Sequence, residues 1–117
     1  MTGYRKSPRT SPWAPAKATE EIRKLAHQDF EFNWSWHADE QRLARDLIIG
    51  DITHVLKNGF VHEEAEPSTR KGFFKYKVES RSPNSGGRTL RVVVVPQRKP
   101  PLFKVITVMW VDEPRQK

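Results

Sequence analysis

The most regular pattern of hydrophobic and polar positions lies in the stretch FEFNWSWH, residues 30–37. Aromatic residues occupy every second position from Phe30 to Trp36, and polar residues lie between them. A period of two indicates a β-strand with one buried face, because successive side chains of a strand point to opposite sides. We therefore predict that the aromatic face is buried and that His37 lies on the polar face, at the end of the strand.

Three segments have the spacing of amphipathic helices. A short helix is predicted to begin at Thr19, in TEEIRKLAHQ, because Thr19 is a candidate N-cap and the apolar residues that follow share one side. After the aromatic strand, the apolar residues of ADEQRLARDLII recur at helical spacing, which predicts a second helix. Gly50 and Asp51 end that helix and begin another, DITHVLKN, which Asn58 and Gly59 terminate.

The second half of the chain is richer in β-branched and aromatic residues, which favour strands. Three strands are predicted at FFKYKVES, TLRVVVVP and LFKVITVMWV, and a short strand at FVHEE can precede them. The loops RSPNSGGR and QRKPP connect the three strands as hairpins. The predicted fold class is α+β: a short helix, a strand, two helices, and then an antiparallel three- to four-stranded sheet with the helices on one face.

The length of the chain limits the number of domains, because 117 residues with 36% hydrophobic residues can bury one core. Residues 1–17 hold three of the nine prolines and no periodic apolar pattern, which predicts a basic, Pro-rich disordered arm that folding does not require. Residues 18–113 are predicted to form a single domain, and residues 114–117 a tail. With no long apolar run and no apolar segment near Met1, we expect a cytoplasmic protein.

The formal charge of +7 is unevenly distributed along the chain. Residues 19–67 carry five Lys or Arg against eleven Asp or Glu, whereas residues 68–111 carry ten Lys or Arg against the single Glu79. So basic a segment favours a partner that carries phosphates, or an acidic protein. The alternative is a solvated face that keeps the protein soluble. With no cysteine, and four histidines that lack metal-ligand spacing, we expect neither a metal nor another cofactor.

Three stretches of the chain together resemble a known family. EEIRKLAHQDFEFNWSWHADEQRLARD contains a His-Ala dipeptide that opens an Arg-bearing helix, GDITHVLKNGFVHEE contains a helix that ends in Asn-Gly, and TLRVVVVP with FKVITVMW forms a closing hairpin. From about Thr19 to Val111 they resemble the bacterial family called domain of unknown function 4258, which is grouped with the RelE- and BrnT-like toxins of toxin–antitoxin pairs. The resemblance implies a RelE-like fold and a toxin that acts on RNA, as a ribonuclease or at the ribosome, and that an acidic antitoxin neutralises.

The chain departs from the family pattern at two places. Where the family tends to have tyrosine after Ile-Thr-Val, this chain has Met109 and Trp110. The basic residue a few positions after His-Ala corresponds to Gln41 or to Arg42, depending on a shift of one residue. If the tyrosine assists catalysis in relatives, its loss favours a binding role without catalysis.

The candidate catalytic residues are His37, Arg42 and Arg45. Metal-independent cleavage of RNA needs a base for the 2′-hydroxyl, an acid for the departing 5′-oxygen, and fixed positive charge at the phosphate. An imidazole titrates near pH 6.5, so His37 is suited to be the base or the acid. Arg42 or Arg45 follows one or two helical turns later and is suited to support the same site. The alternative for His37 is a structural role as a helix cap or a backbone hydrogen-bond partner.

The candidate nucleic-acid-binding residues lie in the predicted sheet. Lys75 and Lys77 alternate with apolar residues and therefore share a face, which Arg91 and Lys104 join if the register allows it. Two aromatic residues that fall outside the best-packed alternating positions of their strands are candidates for stacking on bases. Charges that protect sheet edges are the alternative for the basic residues. The candidate set is Lys75, Lys77, Arg91, Lys104, Phe73 and Trp110.

Three functions are compatible with these patterns. The first is an RNA-directed toxin, with ribosomal or messenger RNA and an acidic antitoxin protein as its partners. The second is a module that binds nucleic acid or protein through the basic sheet without catalysis. The third is a structural accessory protein that forms a homodimer through an exposed sheet edge. None of the three involves a membrane.

Overall fold

The computed structural model describes residues 11–113, so most of the predicted arm and the tail lie outside the described residues. The domain is α+β, as predicted, with the helices in the first half and most strands in the second. Among residues 11–113, no helix is long and apolar enough to cross a membrane. In chain order the elements are α1 (Pro15–Ala26), β1 (Glu31–Trp34), α2 (Trp36–Ala44), α3 (Ile49–Asn58), β2 (Phe60–Val61), β3 (Glu66–Pro67), β4 (Phe74–Arg81), β5 (Thr89–Gln97) and β6 (Leu102–Trp110).

The strands form one six-stranded mixed sheet in the order β1-β6-β5-β4-β2, and β3 also pairs with β4. Strands β4, β5 and β6 are antiparallel, as predicted. Strand β1, in contrast, is parallel to β6, with Phe32 opposite Phe103 and Trp34 opposite Val105. Parallel neighbours need a long crossover, and here that crossover includes most of the other elements. No local sequence pattern predicts such a pairing.

One face of the sheet packs against α1 and α3 and forms the core. Ile22 of α1 and Ile52 of α3 are buried in one cluster with Val92 of β5. The inward positions of β4, β5 and β6 alternate with positions that are mostly half-buried. Since alternate residues of a strand face opposite sides, these half-buried positions form the second face of the sheet, which we call the outer face.

Helix α2 closes the part of β6 that β1 does not reach. The Ser35 hydroxyl donates to the carbonyl oxygen of Ile106 (3.2 Å) and accepts from the backbone N–H of Ala38 (3.0 Å). It therefore caps α2 and also gives a backbone carbonyl of β6 a hydrogen-bond partner. The side-chain oxygen of Gln41 accepts from the backbone N–H of Val108 (2.9 Å). Unpaired backbone groups at a sheet edge are costly when water cannot reach them. The side chains of Ser35, the N-cap of α2, and of Gln41 within α2 therefore bond the part of β6 that lies beyond the end of β1.

The aromatic alternation ends earlier than predicted. Phe30, Phe32 and Trp34 pack against the core, whereas Trp36 is 77% exposed. Ser35 is the N-cap of α2, so the chain has already entered the helix at Trp36. The prediction that Trp36 belongs to the buried aromatic face is therefore wrong, because helix capping overrides the period of two.

An ion pair ties α2 to the end of β6. Glu113 accepts hydrogen bonds from Nε of Arg45 (2.9 Å) and from the backbone N–H of Trp110 (2.9 Å). The hydrogen bonds from Arg45 hold the pKa of Glu113 below its ordinary value of 4.5, although partial burial acts in the opposite direction. The ionised form of Glu113 is thus favoured by folding.

We expect the contribution of Glu113 to be lost in acid. Because its pKa is lowered on folding, its stabilising effect is complete above the unfolded pKa and disappears as the pH falls through the folded pKa. Near pH 7, Glu113→Gln should lower the free energy of unfolding by about 1 kcal/mol, and the difference from the parent protein should disappear as the pH falls from there to below the folded pKa of Glu113. Urea denaturation across this range measures it. Glu64→Gln, at an exposed residue, is the control, and an equal effect of both changes would contradict the assignment.

Helix α1 begins at Pro15, four residues before the predicted start at Thr19. Proline suits the first helical position, because its φ is already helical and its missing N–H has no partner there. Thr19 does not cap the helix, since its hydroxyl donates to the carbonyl oxygen of Pro15 (3.0 Å) and accepts from the backbone N–H of Val61 (2.9 Å). The last three residues assigned to the arm, residues 15–17, therefore lie in α1.

The chain enters the folded domain at Trp13. The indole is half-buried against the core, with its ring centroid 5.5 Å from that of Tyr76. The backbone N–H of Trp13 donates to the hydroxyl of Tyr76 (2.8 Å). Burial raises the pKa of the Tyr76 phenol, and this hydrogen bond acts in the opposite direction. Both contacts join the segment before α1 to the sheet, so the expectation that residues 1–17 are dispensable for folding has a specific test at Trp13.

Replacing Trp13 should therefore destabilise the domain. We expect Trp13→Ala to lower the free energy of unfolding by about 1–3 kcal/mol, since it removes a half-buried aromatic pair. Trp36→Ala removes the same side chain at a position that is 77% exposed, and it should change stability by less than about 0.5 kcal/mol. Chemical denaturation of both variants measures the difference. Equal effects would mean that Trp13 does not stabilise the domain.

Candidate nucleic-acid interface

The register of β4, β5 and β6 collects basic residues on the outer face. Lys77 lies opposite Val93, and Lys104 lies opposite Val95. Because side chains alternate along each strand, residues two positions away share the same face. The outer face thus carries the four basic residues predicted to bind nucleic acid: Lys75, Lys77, Arg91 and Lys104.

Carboxylates already neutralise part of this charge. Nε of Arg91 donates to Glu79 (2.7 Å), and Nζ of Lys77 lies 3.1 Å from Glu63. The hydrogen bond from Lys77 lowers the pKa of the exposed Glu63 carboxyl. Lys77 and Arg91 are therefore less suited to hold a phosphate than residues without such a partner.

A cavity of about 310 Å³ opens on the outer face. Its lining includes apolar side chains of β5 and β6, and polar side chains from β1, β4, β6 and the turn before β4. Lys104 has no carboxylate within 4.0 Å among residues 11–113, and Lys75 contacts Glu66 only at 3.8 Å. We call this site the lysine cavity, and its polar and aromatic lining consists chiefly of Asn33, Arg70, Phe73, Lys75 and Lys104.

Arg70 and Phe73 form one wall of the lysine cavity. The guanidinium of Arg70 lies 4.1 Å from the ring centroid of Phe73, and its Nη1 donates to Oε1 of Gln97 (3.3 Å). A turn holds the two residues together, since the backbone N–H of Phe73 donates to the carbonyl oxygen of Arg70 (3.1 Å). A cation over an aromatic face is a stabilising arrangement that leaves the guanidinium N–H groups able to bind an anion.

Sequence reasoning missed Arg70 and Asn33. Arg70 lies in the basic segment three residues before Phe73, so the spacing was a usable signal once a turn was assumed there. Asn33 reaches the cavity because β1 pairs in parallel with β6, which places Asn33 opposite Lys104. That pairing has no signal in the sequence.

The structure does not bring the three candidate catalytic residues into the lysine cavity. His37 is exposed in the first turn of α2. Arg42 donates to the carboxylate of Asp39 (2.9 Å) and to the carbonyl oxygen of Leu47 (3.0 Å), and Arg45 pairs with Glu113. Among residues 11–113, no group of three or more potential ligand side chains is arranged to hold a metal ion.

Trp110 is separated from Phe73 by the sheet. It lies opposite the buried Leu90, so it belongs to the core face, where it packs partly against the apolar cluster. The guanidinium of Arg88 lies 4.3 Å from the centroid of the Trp110 indole and also pairs with Asp112 (2.7 Å). Phe73 and Trp110 therefore do not form one stacking surface.

Comparison with known proteins identifies one family. The family described as "Domain of unknown function (DUF4258)" matches residues 34–110, which span α2, α3 and nearly all of the sheet. No curated protein and no solved structure shows a significant match.

Proposed function

This chain belongs to the DUF4258 family, and we propose that it binds nucleic acid, with the phosphate groups in the lysine cavity. The convergence of Lys75, Lys104 and Arg70 on one cavity of the outer face is the observation that carries the proposal. Phosphate contacts by lysine and arginine supply most of the affinity of proteins for nucleic acids, because they release the counterions condensed on the strand.

The three cations suit different parts of a phosphodiester backbone. Lys104 and Lys75 provide point charges on rigid strands, and Arg70 provides a planar fork that matches two phosphate oxygens. Val95 and Ile106 contribute apolar surface to the lining of the cavity, and a less polar surrounding strengthens charge interactions. Such contacts position a strand without reading its sequence.

Two of the candidate catalytic residues already form ion pairs within the protein, which favours binding over catalysis. Arg42 and Arg45 are engaged by Asp39 and Glu113, so a substrate phosphate would have to displace an existing carboxylate. In addition, Met109 follows Ile-Thr-Val in place of the tyrosine that the family resemblance implies.

Neutralising Lys104 tests the proposal. Lys104→Gln should weaken binding of a short fluorescently labelled RNA severalfold at low salt, and should reduce the slope of log affinity against log salt by about 0.7, the value for one phosphate of a single strand. Fluorescence anisotropy across a salt series measures both. Lys57→Gln, on α3 at the core side of the sheet, changes the net charge equally and should have little effect. A parent protein whose affinity is absent, or does not depend on salt, would refute the proposal.

A metal-independent ribonuclease of the RelE or BrnT type, neutralised by an antitoxin, is the second candidate function. The observation in its favour is the exposure of His37 in the first turn of α2, where the imidazole is accessible to an RNA strand. In this proposal His37 is the base or the acid, and the basic outer face binds the same RNA.

The second candidate predicts a specific loss of activity. His37→Ala should reduce RNA cleavage by a factor of about 100 or more and relieve growth inhibition upon expression, while the melting temperature stays unchanged. His62→Ala, at another exposed histidine, serves as the control. Undiminished cleavage in the His37 variant would exclude the catalytic role, and an unfolded variant would instead assign His37 a structural one.

A further inference from the structure

A second cavity, of about 600 Å³, adjoins the lysine cavity, and the two share Arg70, Phe73 and Gln97 as lining residues. Its remaining walls come from the start of β4, the end of β5 and the segment before α1. We call it the aromatic cavity, after its four aromatic lining residues: Trp13, Phe73, Phe74 and Tyr76.

The half-buried rings of Phe73 and Phe74 lie beside positive charge in the aromatic cavity, whereas Tyr76 is buried and Trp13 packs against it. Arg98 and Lys99 are exposed at the turn after β5, and Arg70 lies over Phe73. The described lining residues include no carboxylate. An anionic ligand with a flat aromatic group matches this combination, because the ring can stack while the cations hold the charge.

We propose that the aromatic cavity receives one unstacked base of a strand whose phosphates lie in the lysine cavity, so that the ligand is single-stranded. The inference rests on the proposed function and adds the class of nucleic acid. The shared wall supports it, because adjacent cavities suit a base and its neighbouring phosphates in one strand. Its volume lies within the range of about 300–1,000 Å³ typical of ligand sites. A duplex keeps its bases paired and stacked, and would have to be opened first.

Recognition of the base in this cavity should depend on stacking more than on hydrogen bonds. The Tyr76 hydroxyl already accepts from Trp13, and the Gln97 amide bonds with Arg70 and with the carbonyl oxygen of Pro100. The polar groups nearest the rings are thus engaged within the protein. Stacking tolerates any base, since each has a π-face.

The experiment compares three labelled ligands of equal length with the full-length protein: a single strand, the same backbone without bases, and a blunt duplex. We expect the single strand to bind about 5- to 100-fold more tightly than the abasic strand, and the duplex to bind more weakly than the single strand.

A variant tests the cavity itself. Phe74 lines only the aromatic cavity, so Phe74→Leu should weaken binding of the single strand and reduce the ratio of its affinity to that of the abasic strand. Phe60→Leu is the matched control, because Phe60 is 53% exposed and lies under Arg23 at 4.5 Å.

Photocrosslinking of a strand that carries 5-iodouridine keeps the inference testable if Phe74→Leu does not fold. We expect crosslinks at Trp13, Phe73 or Phe74, identified by peptide mass spectrometry. Crosslinks confined to other residues would overturn the inference. Equal, salt-dependent affinity for the strands with and without bases would also overturn it while leaving the phosphate site intact, whereas no binding of any ligand would refute the proposed function itself.

Discussion

The fold depends on how the hydrogen-bonding groups of β6 are satisfied on both edges. Strand β5 pairs along its whole length on one edge, whereas β1 covers only the first half of the other. The second half is closed by side chains, chiefly Ser35 and Gln41 of the α2 region. Because one segment supplies β1, the cap of α2 and the closure of β6, the stretch that joins strand to helix is under strong structural constraint.

The same constraint determines the candidate site. The parallel pairing of β1 with β6 brings Asn33 beside Lys104, and the antiparallel pairing of β6 with β5 places Lys104 across from Val95. Lys75 and the Arg70–Phe73 turn complete the lysine cavity from the far side of β5. The cavity is therefore built from segments distant in sequence, with Lys75 and Lys104 on paired strands and Arg70 in a turn. Such pre-organisation reduces the entropy lost when a ligand is bound.

Folding cancels much of the charge separation that is evident along the chain. Glu63 and Glu66 of the acidic half contact Lys77 and Lys75 of the basic half. The positive charge that lacks a close carboxylate on the outer face is consequently local: Lys77 and Lys75 contact acidic residues, whereas Lys104 has no carboxylate within 4.0 Å among residues 11–113. Under the proposed function, this locality suits a site for a few nucleotides better than a broad electrostatic surface, while Arg42 pairs with Asp39 and Arg45 with Glu113.

Local periodicity determined which segments become helices and strands, and hence the α+β class, because alternation and helical spacing depend on a single element and its exposure to the core. It also placed Lys75 and Lys77 on one strand face. Local periodicity could not determine the register of the strands, because strand pairing depends on contacts between residues far apart in the chain. The tertiary structure alone decided that Asn33 and Arg70 join Lys104, and that Trp13 packs on Tyr76. It also decided that Trp36 is exposed. Ser35 caps α2 and also bonds the edge of β6, so the chain enters the helix before Trp36, and only the folded chain brings Ser35 beside β6.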